Sequence, residues 1–212
     1  MRAAGRRVGA ARGKIIPVSM HGELPRPDDW PNEPWRNSPQ PNSGGWMGPA
    51  ELDAIRHQVP LVYVDAIPVR TDNSGDVTAV GLLLRMGERG LTRSIVSGRV
   101  LYHERVRDAL LRHIEKDLGP VALPQIPASP QPFTVAEYLP TPGITPFHDP
   151  RQHAVSLAYV VPVTGDCQPQ QDALEIAWLT PEEACGDAAA AEFVGGQGAL
   201  VRQAMAWIGR FG

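Results

Sequence analysis

Apolar and polar positions follow different periods along the chain, and the changes of period mark its elements. Residues 61–67 (Leu-Val-Tyr-Val-Asp-Ala-Ile) and 78–85 are rich in branched and aliphatic side chains and predict strands. Thr71-Asp72-Asn73-Ser74-Gly75-Asp76 between them is turn chemistry, so the two runs predict an antiparallel pair. Residues 94–97 predict a third short strand, ending at Gly98. Over residues 104–118 the period changes. Val106, Ala109, Leu110, His113, Ile114 and Leu118 recur at spacings of three and four, which predicts a helix with one apolar face. Gly119-Pro120 stops it, glycine as a cap and proline because it cannot continue the helix.

Residues 133–139, 154–161 and 174–179 predict three further strands, the first inside a proline-dense stretch from 120 to 150. Thr180-Pro181-Glu182-Glu183 has the form of a capping box with proline at the first helical position. Residues 198–209 close the chain as an amphipathic helix. Strands, one central helix, more strands and terminal helices describe a mixed α/β (α+β) domain of about 150 residues.

The N-terminal part is different. Residues 1–19 carry Arg2, Arg6, Arg7, Arg12 and Lys14 without an acid, and Met20 offers a second start. Residues 20–49 combine dense proline with Trp30, Trp35 and Trp46, a composition that blocks helix and sheet. These features predict an irregular arm over residues 1–48 and a folded domain over 49–212, opening with a short helix at 49–56. Residues 1–45 are expected to lack regular secondary structure.

Composition narrows the function classes. A net charge of −3 over 212 residues provides no global basic field for nucleic acid. No apolar run reaches the ~18 residues of a membrane span. Two cysteines, Cys167 and Cys185, make neither a disulfide scaffold nor a four-ligand zinc site, and the reducing cytoplasm is their simplest compartment.

One segment concentrates the candidate chemistry: Gly98-Arg99-Val100-Leu101-Tyr102-His103-Glu104, then seven residues, then Arg112-His113-Ile114-Glu115-Lys116-Asp117-Leu118-Gly119. It resembles the Nudix box, in which a glycine, a glutamate, an arginine, an aliphatic residue and a closing glycine recur in fixed register. Gly98, Glu104, Arg112, Ile114 and Gly119 match, and Asp117 stands at the last box glutamate. His113 and Lys116 stand where two further glutamates belong. The resemblance implies a Nudix-like αβα sandwich with a mixed sheet over roughly residues 60–210. The pattern is nearest to the GDP-mannose mannosyl hydrolase branch, which keeps only the last helix carboxylate and uses one Mg²⁺. Counting back from Trp178-Leu179, that branch's neighbouring pair falls on Asp172 and Ala173; aspartate can hold a metal, but alanine cannot act as the base.

Positions 113, 116 and 117 share one helix face by spacing. A full box would place three carboxylates there, because hard cations take oxygen ligands and, once bound, neutralise phosphate and activate water. This sequence offers His113, Lys116 and Asp117. Asp108, Arg112 and Glu115 form a separate stripe, whose simplest reading is a solvated row of ion pairs. The resemblance implies Asp117, Asp172 and the Ser97 carbonyl as ligands of a single weak Mg²⁺, with Glu104, Arg112 and His113 as catalytic candidates. Arg99, His103 and Lys116 are the candidates for substrate contact, and His148 and His153 are further histidines near the strands.

Two function classes follow. One is a hydrolase acting on a nucleoside diphosphate linked to another moiety, such as a nucleotide sugar. The other is an inactive Nudix-fold sensor of nucleotide sugars or protein-interaction module. Either takes a small nucleotide ligand rather than nucleic acid or membrane, and relatives of this family are commonly homodimers.

Overall fold

The computed structural model describes residues 46–87 and 90–209. The expectation for residues 1–45 therefore lies outside the described residues. Helix α1 (Pro49–Arg56) comes first among the described residues, with Pro49 in its first turn, where a missing amide costs nothing. Strands β1 (Leu61–Thr71), β2 (Val77–Gly87), β3 (Gly90–Ser94) and β4 (Val96–Arg99) follow, then α2 (Val106–Leu118). After it come β5 (Thr134–Leu139), β6 (Phe147–His148), β7 (Ala154–Pro162) and β8 (Ala173–Leu179). The helices α3 (Pro181–Cys185), α4 (Asp187–Glu192) and α5 (Gln197–Ile208) complete the order.

All eight strands belong to one mixed sheet, in the order β3-β2-β1-β7-β5-β6, with β4 on β1 and β8 on β2. One edge of β1 is shared. Residues 63–66 pair with β4 and residues 69–71 with β2, both antiparallel. Pro68, which has no amide to donate, falls in the gap between these partners. The sheet therefore opens at this point, with β4 leaving toward α2 and β2 carrying β3 and β8. On the other edge β1 runs parallel to β7 from Leu61↔Ala154 to Val69↔Pro162.

Two hydrophobic layers sandwich the sheet. Val64, Ala66, Leu83, Val96 and Ile176 pack against Ala109, Leu110, Ile114 and Leu118 of α2. Ile67, Val69, Val80, Leu82 and Ala158 pack against Leu200, Val201 and Ala204 of α5. The turn between β1 and β2 is built by Asp72, whose carboxylate accepts the amides of Ser74 and Asp76. The capping box of α3 closes as its sequence predicts: Thr180 accepts the Glu183 amide, and the Glu183 carboxylate accepts the Thr180 amide.

Several elements differ from the sequence expectation; β1 for instance runs on to Thr71. The third strand is two strands, β3 and β4, broken at Ile95, whose amide donates to Gln197 Oε1 at 3.1 Å instead of to a neighbouring strand. Helix α2 starts at Val106 rather than 104, because the Glu104 carboxylate folds back to take the Leu101 amide at 2.8 Å. The two-residue strand β6 lies inside the proline-dense stretch and is too short to give a period.

Candidate functional site

The segment between β4 and the end of α2 forms a compact junction. Arg112 forks onto Glu104, with Nε to Oε1 at 2.6 Å and Nη2 to Oε2 at 2.7 Å. This bidentate pair holds the Glu104 carboxyl below its usual range, chiefly through the guanidinium hydrogen bonds, against the opposing effect of burial. Arg112 Nη2 also donates to the Arg99 carbonyl at 2.9 Å, and His113 Nε2 meets the same oxygen at 3.0 Å. Two side chains of α2 thus tie the helix to the end of β4.

His113 is buried beneath Gly98, where a Cβ would fall inside the imidazole ring. Glycine is required at 98 by this contact. His113 Nδ1 is buried without a partner, and desolvation pushes the imidazole pKa down, so the ring sits here in its neutral form.

Asp117 is 1% exposed and meets two cations. Lys116 Nζ lies 2.6 Å from its Oδ1, and Arg85 Nη2, reaching across from β2, lies 3.3 Å from the same oxygen. The other terminal nitrogen of Arg85 pairs with Asp172, which precedes β8 and is well exposed. Arg85 Nε donates to Ser94 Oγ at 3.2 Å. Asp117 and Asp172 are therefore close together with a guanidinium between them. Ser97 lies elsewhere, on β4 in register with Asp65, facing the α5 side of the sheet.

The donor set does not fit a resident divalent cation. Asp117 and Asp172 already share an arginine, Lys116 adds a second positive charge, and like charges repel at this range. No group of three or more His, Cys, Asp or Glu side chains gathers among the described residues.

The remaining candidates lie around this junction. His103 is exposed, holds a left-handed backbone (φ 62°) and lies against Tyr102, the rings tilted by 55° with centroids 4.4 Å apart. Arg99 reaches the Met47 sulfur, and Trp46 lies over the Arg112 guanidinium at 5.7 Å. The stripe of Asp108, Arg112 and Glu115 is not a row of mutual pairs: Asp108 binds Arg105, Arg112 binds Glu104, and Glu115 faces solvent. His148 lies on β6 with Nε2 at 3.3 Å from the Pro140 carbonyl, and His153 approaches Glu137 at 3.8 Å.

Two residues that sequence reasoning passed over are prominent. Arg85 is an arginine at the end of the apolar strand run 82–84, and Asp65 is an acid inside the apolar run 61–67. A charge in the middle of a buried strand was the available signal, since such groups are rarely buried without a partner or a use.

The likenesses to known proteins agree with this fold. Residues 42–210 match the family model described as Domain of unknown function (DUF4916). A solved structure from Jonesia denitrificans, described as a possible asymmetric diadenosine tetraphosphate hydrolase, is 70% identical. It covers 73% of this chain and 98% of its own, with a TM-score of 0.70. A Nudix-family hydrolase from Clostridium perfringens shares 12% identity at a TM-score of 0.50, covering 71% of this chain and 99% of its own. A C. elegans Ap4A hydrolase complex shares 14% identity at a TM-score of 0.50, covering 70% and 98%. No curated protein matches the chain. At such low identity the last two structures establish the fold alone, and with the family match and the 70%-identical relative they lead to one statement: the chain belongs to the family described as Domain of unknown function (DUF4916) and has the Nudix hydrolase fold.

Proposed function

We propose that this protein binds a phosphorylated small-molecule nucleotide on its Nudix scaffold, with Arg85 and Lys116 supplying the positive charge that a divalent metal supplies in metal-dependent enzymes of this fold. The observation that carries the reading is the Arg85 guanidinium set between Asp117 and Asp172. Asp117 is buried and keeps its cations, whereas Asp172 is exposed and holds Arg85 only from the solvent side. An incoming phosphate can displace Asp172 and take the planar fork of Arg85, a geometry suited to two phosphate oxygens. Lys116, also partly exposed, provides a second donor on the same face. The Glu104–Arg112 pair serves the loop–helix junction in this reading rather than proton transfer, because both carboxylate oxygens are already engaged.

A hydrolytic reading has its own support. The 70%-identical relative is described as a possible asymmetric diadenosine tetraphosphate hydrolase, and Asp117 and Asp172 flank one guanidinium, so an ion that displaced Arg85 would lie beside both carboxylates. Hydrolysis of a dinucleoside polyphosphate or of a nucleotide sugar by one Mg²⁺ is the chemistry that arrangement would serve.

One experiment separates the two. Purified protein is titrated by calorimetry with diadenosine tetraphosphate and with nucleotide sugars, with and without Mg²⁺, and the products are followed by chromatography. The binding reading expects phosphate-dependent association without Mg²⁺, lost in Arg85→Ala, and no turnover. Mg²⁺-dependent product formation that disappears in Asp117→Asn establishes the hydrolytic reading instead.

A further inference from the structure

A cavity of about 290 Å³ lies where the end of α1, the start of β1 and the segment before β7 come together. Its size is near the lower end of the ~300–1,000 Å³ range of small-molecule pockets. Arg56 and His57 line it from the α1 side, and Arg151, Gln152 and His153 from the β7 side. Pro60, Pro140 and Pro150 add apolar walls. The backbone ties the two sides together, since the Leu61 amide donates to the His153 carbonyl at 3.0 Å.

The polar lining is fixed from behind. Gln152 is 2% exposed and uses both ends of its amide: Oε1 accepts from Arg56 Nε at 3.0 Å, and Nε2 donates to Asp149 Oδ2 at 3.0 Å. Asp149 in turn holds Arg151 through Nε and Nη2, each at 2.9 Å. The charge of Arg151 is thereby cancelled, whereas Arg56 is oriented by a neutral amide and its terminal nitrogens take no partner among the described residues. His153 Nε2 is buried without a hydrogen bond, with Glu137 at 3.8 Å. His57 Nδ1 meets the Asp53 carbonyl at 2.8 Å and so carries a proton there, while its Nε2 takes no partner among the described residues. No acidic side chain among the described residues lines the cavity. One uncompensated guanidinium, pinned by a buried glutamine, thus stands beside two imidazoles with bonds unmade.

We propose that this cavity binds a small phosphate monoester, with the terminal nitrogens of Arg56 on two phosphate oxygens and the ester's organic group against the proline walls. A guanidinium fork matches two phosphate oxygens, and the imidazoles can donate to the others. A cation would meet Arg56 without a counter-charge, and a purely apolar ligand would desolvate the guanidinium and leave it unpaired. A carboxylate has two oxygens, enough for the fork alone, and leaves the imidazoles without an acceptor. The inference goes beyond the nucleotide-binding proposal. No residue of this cavity belongs to the Asp117–Arg85–Asp172 cluster, so the two readings can fail separately.

The test removes the other candidate phosphate site first. The full chain carrying Arg85→Ala is titrated by calorimetry at neutral pH without Mg²⁺, using phenyl phosphate, inorganic phosphate and benzoate. Phenyl phosphate is expected to saturate and to bind about tenfold tighter than benzoate, the size of one charge-assisted hydrogen bond. Inorganic phosphate, which lacks the organic group, is expected to bind several-fold more weakly than the ester. Adding Arg56→Gln is expected to weaken phenyl phosphate at least about tenfold. Arg56 is half-buried at the end of a short helix, and melting curves report whether each variant folds. A crystal of the wild-type protein soaked in phenyl phosphate answers the question independently of every variant, and a phosphate in contact with Arg56 is the expected result. The inference is overturned if phenyl phosphate does not saturate, if benzoate or inorganic phosphate binds as tightly, if the folded Arg56→Gln variant keeps the parent affinity, or if no phosphate lies at Arg56 in the crystal.

Discussion

Asp117 on the α2 face and Asp65 on the α5 face are equally buried, each 1% exposed, yet they are treated in opposite ways. Asp117 has two cations at its oxygen. Asp65 has hydroxyls only, and desolvation drives its pKa up. Burying a charge is costly unless it is paired and hydrogen-bonded. The α2 face meets that cost with Arg85 and Lys116 and leaves little room for a metal. The α5 face leaves the cost partly unmet, beside a cavity of 610 Å³ that Asp65 helps to line. The segment between β4 and α2 serves as architecture: Gly98, Glu104 and Arg112 fasten α2 to β4.

The largest expected effect attacks that architecture. Gly98→Ala puts a methyl group inside the His113 ring, which must leave a buried position and break its bond to the Arg99 carbonyl. Overpacking of this kind costs about 3 kcal/mol. The double variant Gly98→Ala with His113→Ala is expected to recover part of the loss, because the two residues share one space. Urea unfolding of the two single variants and the pair measures this coupling. Strict additivity would show that the contact does not constrain the junction.

Next in size is removal of the bridging cation. Arg85→Ala leaves Asp117 buried with Lys116 alone. Breaking a buried pair costs about 3–5 kcal/mol, and the remaining lysine and the partial exposure of Arg85 reduce this to about 2 kcal/mol. Arg85→Lys should recover little, since an ammonium cannot reach Asp117, Asp172 and Ser94 together. Chemical denaturation at neutral pH checks both variants.

The smallest effect sharpens the comparison through pH. Glu104 is held below its usual pKa by Arg112, so its contribution is present above the unfolded value near ~4.3 and is lost as pH falls through the folded value. Glu104→Gln should cost about 1–2 kcal/mol at pH 7, with the difference shrinking toward pH 3. Asp65 has the opposite sign. Its folded pKa is raised, so stability is lost as pH rises from the unfolded value near ~3.9 through the folded one. Asp65→Asn should therefore stabilise the free protein at neutral pH, with the gain vanishing in acid. Unfolding free energies between pH 3 and 8 decide the matter, and parallel curves for the two variants would refute the contrast.

Much of the scaffold was legible along the chain, because its signals are local. The period of three and four over Val106, Leu110 and Ile114 yields α2, with Leu110 and Ile114 fully buried. Turn chemistry at 71–76 yields the β1–β2 pair, and the Thr180 box yields the start of α3. Gly98, Glu104 and Arg112 are fixed by spacing, and their contacts stay within one loop and the helix that follows it. The break at Ile95 was not legible, because its cause is Gln197, about a hundred residues away.

By itself the sequence determined the elements and the spacing of Gly98, Glu104, Arg112 and Asp117, since each depends on residues a few positions apart. Only the tertiary structure decided what the buried carboxylates meet. Arg85 comes to Asp117 of α2 from strand β2, and the parallel pairing of β1 with β7 brings Ser156 beside Asp65 from ninety residues on. A strand's period of two says which face a side chain occupies, but not which strand lies next to it. Whether a buried carboxylate meets a guanidinium or a cavity is decided by that neighbour.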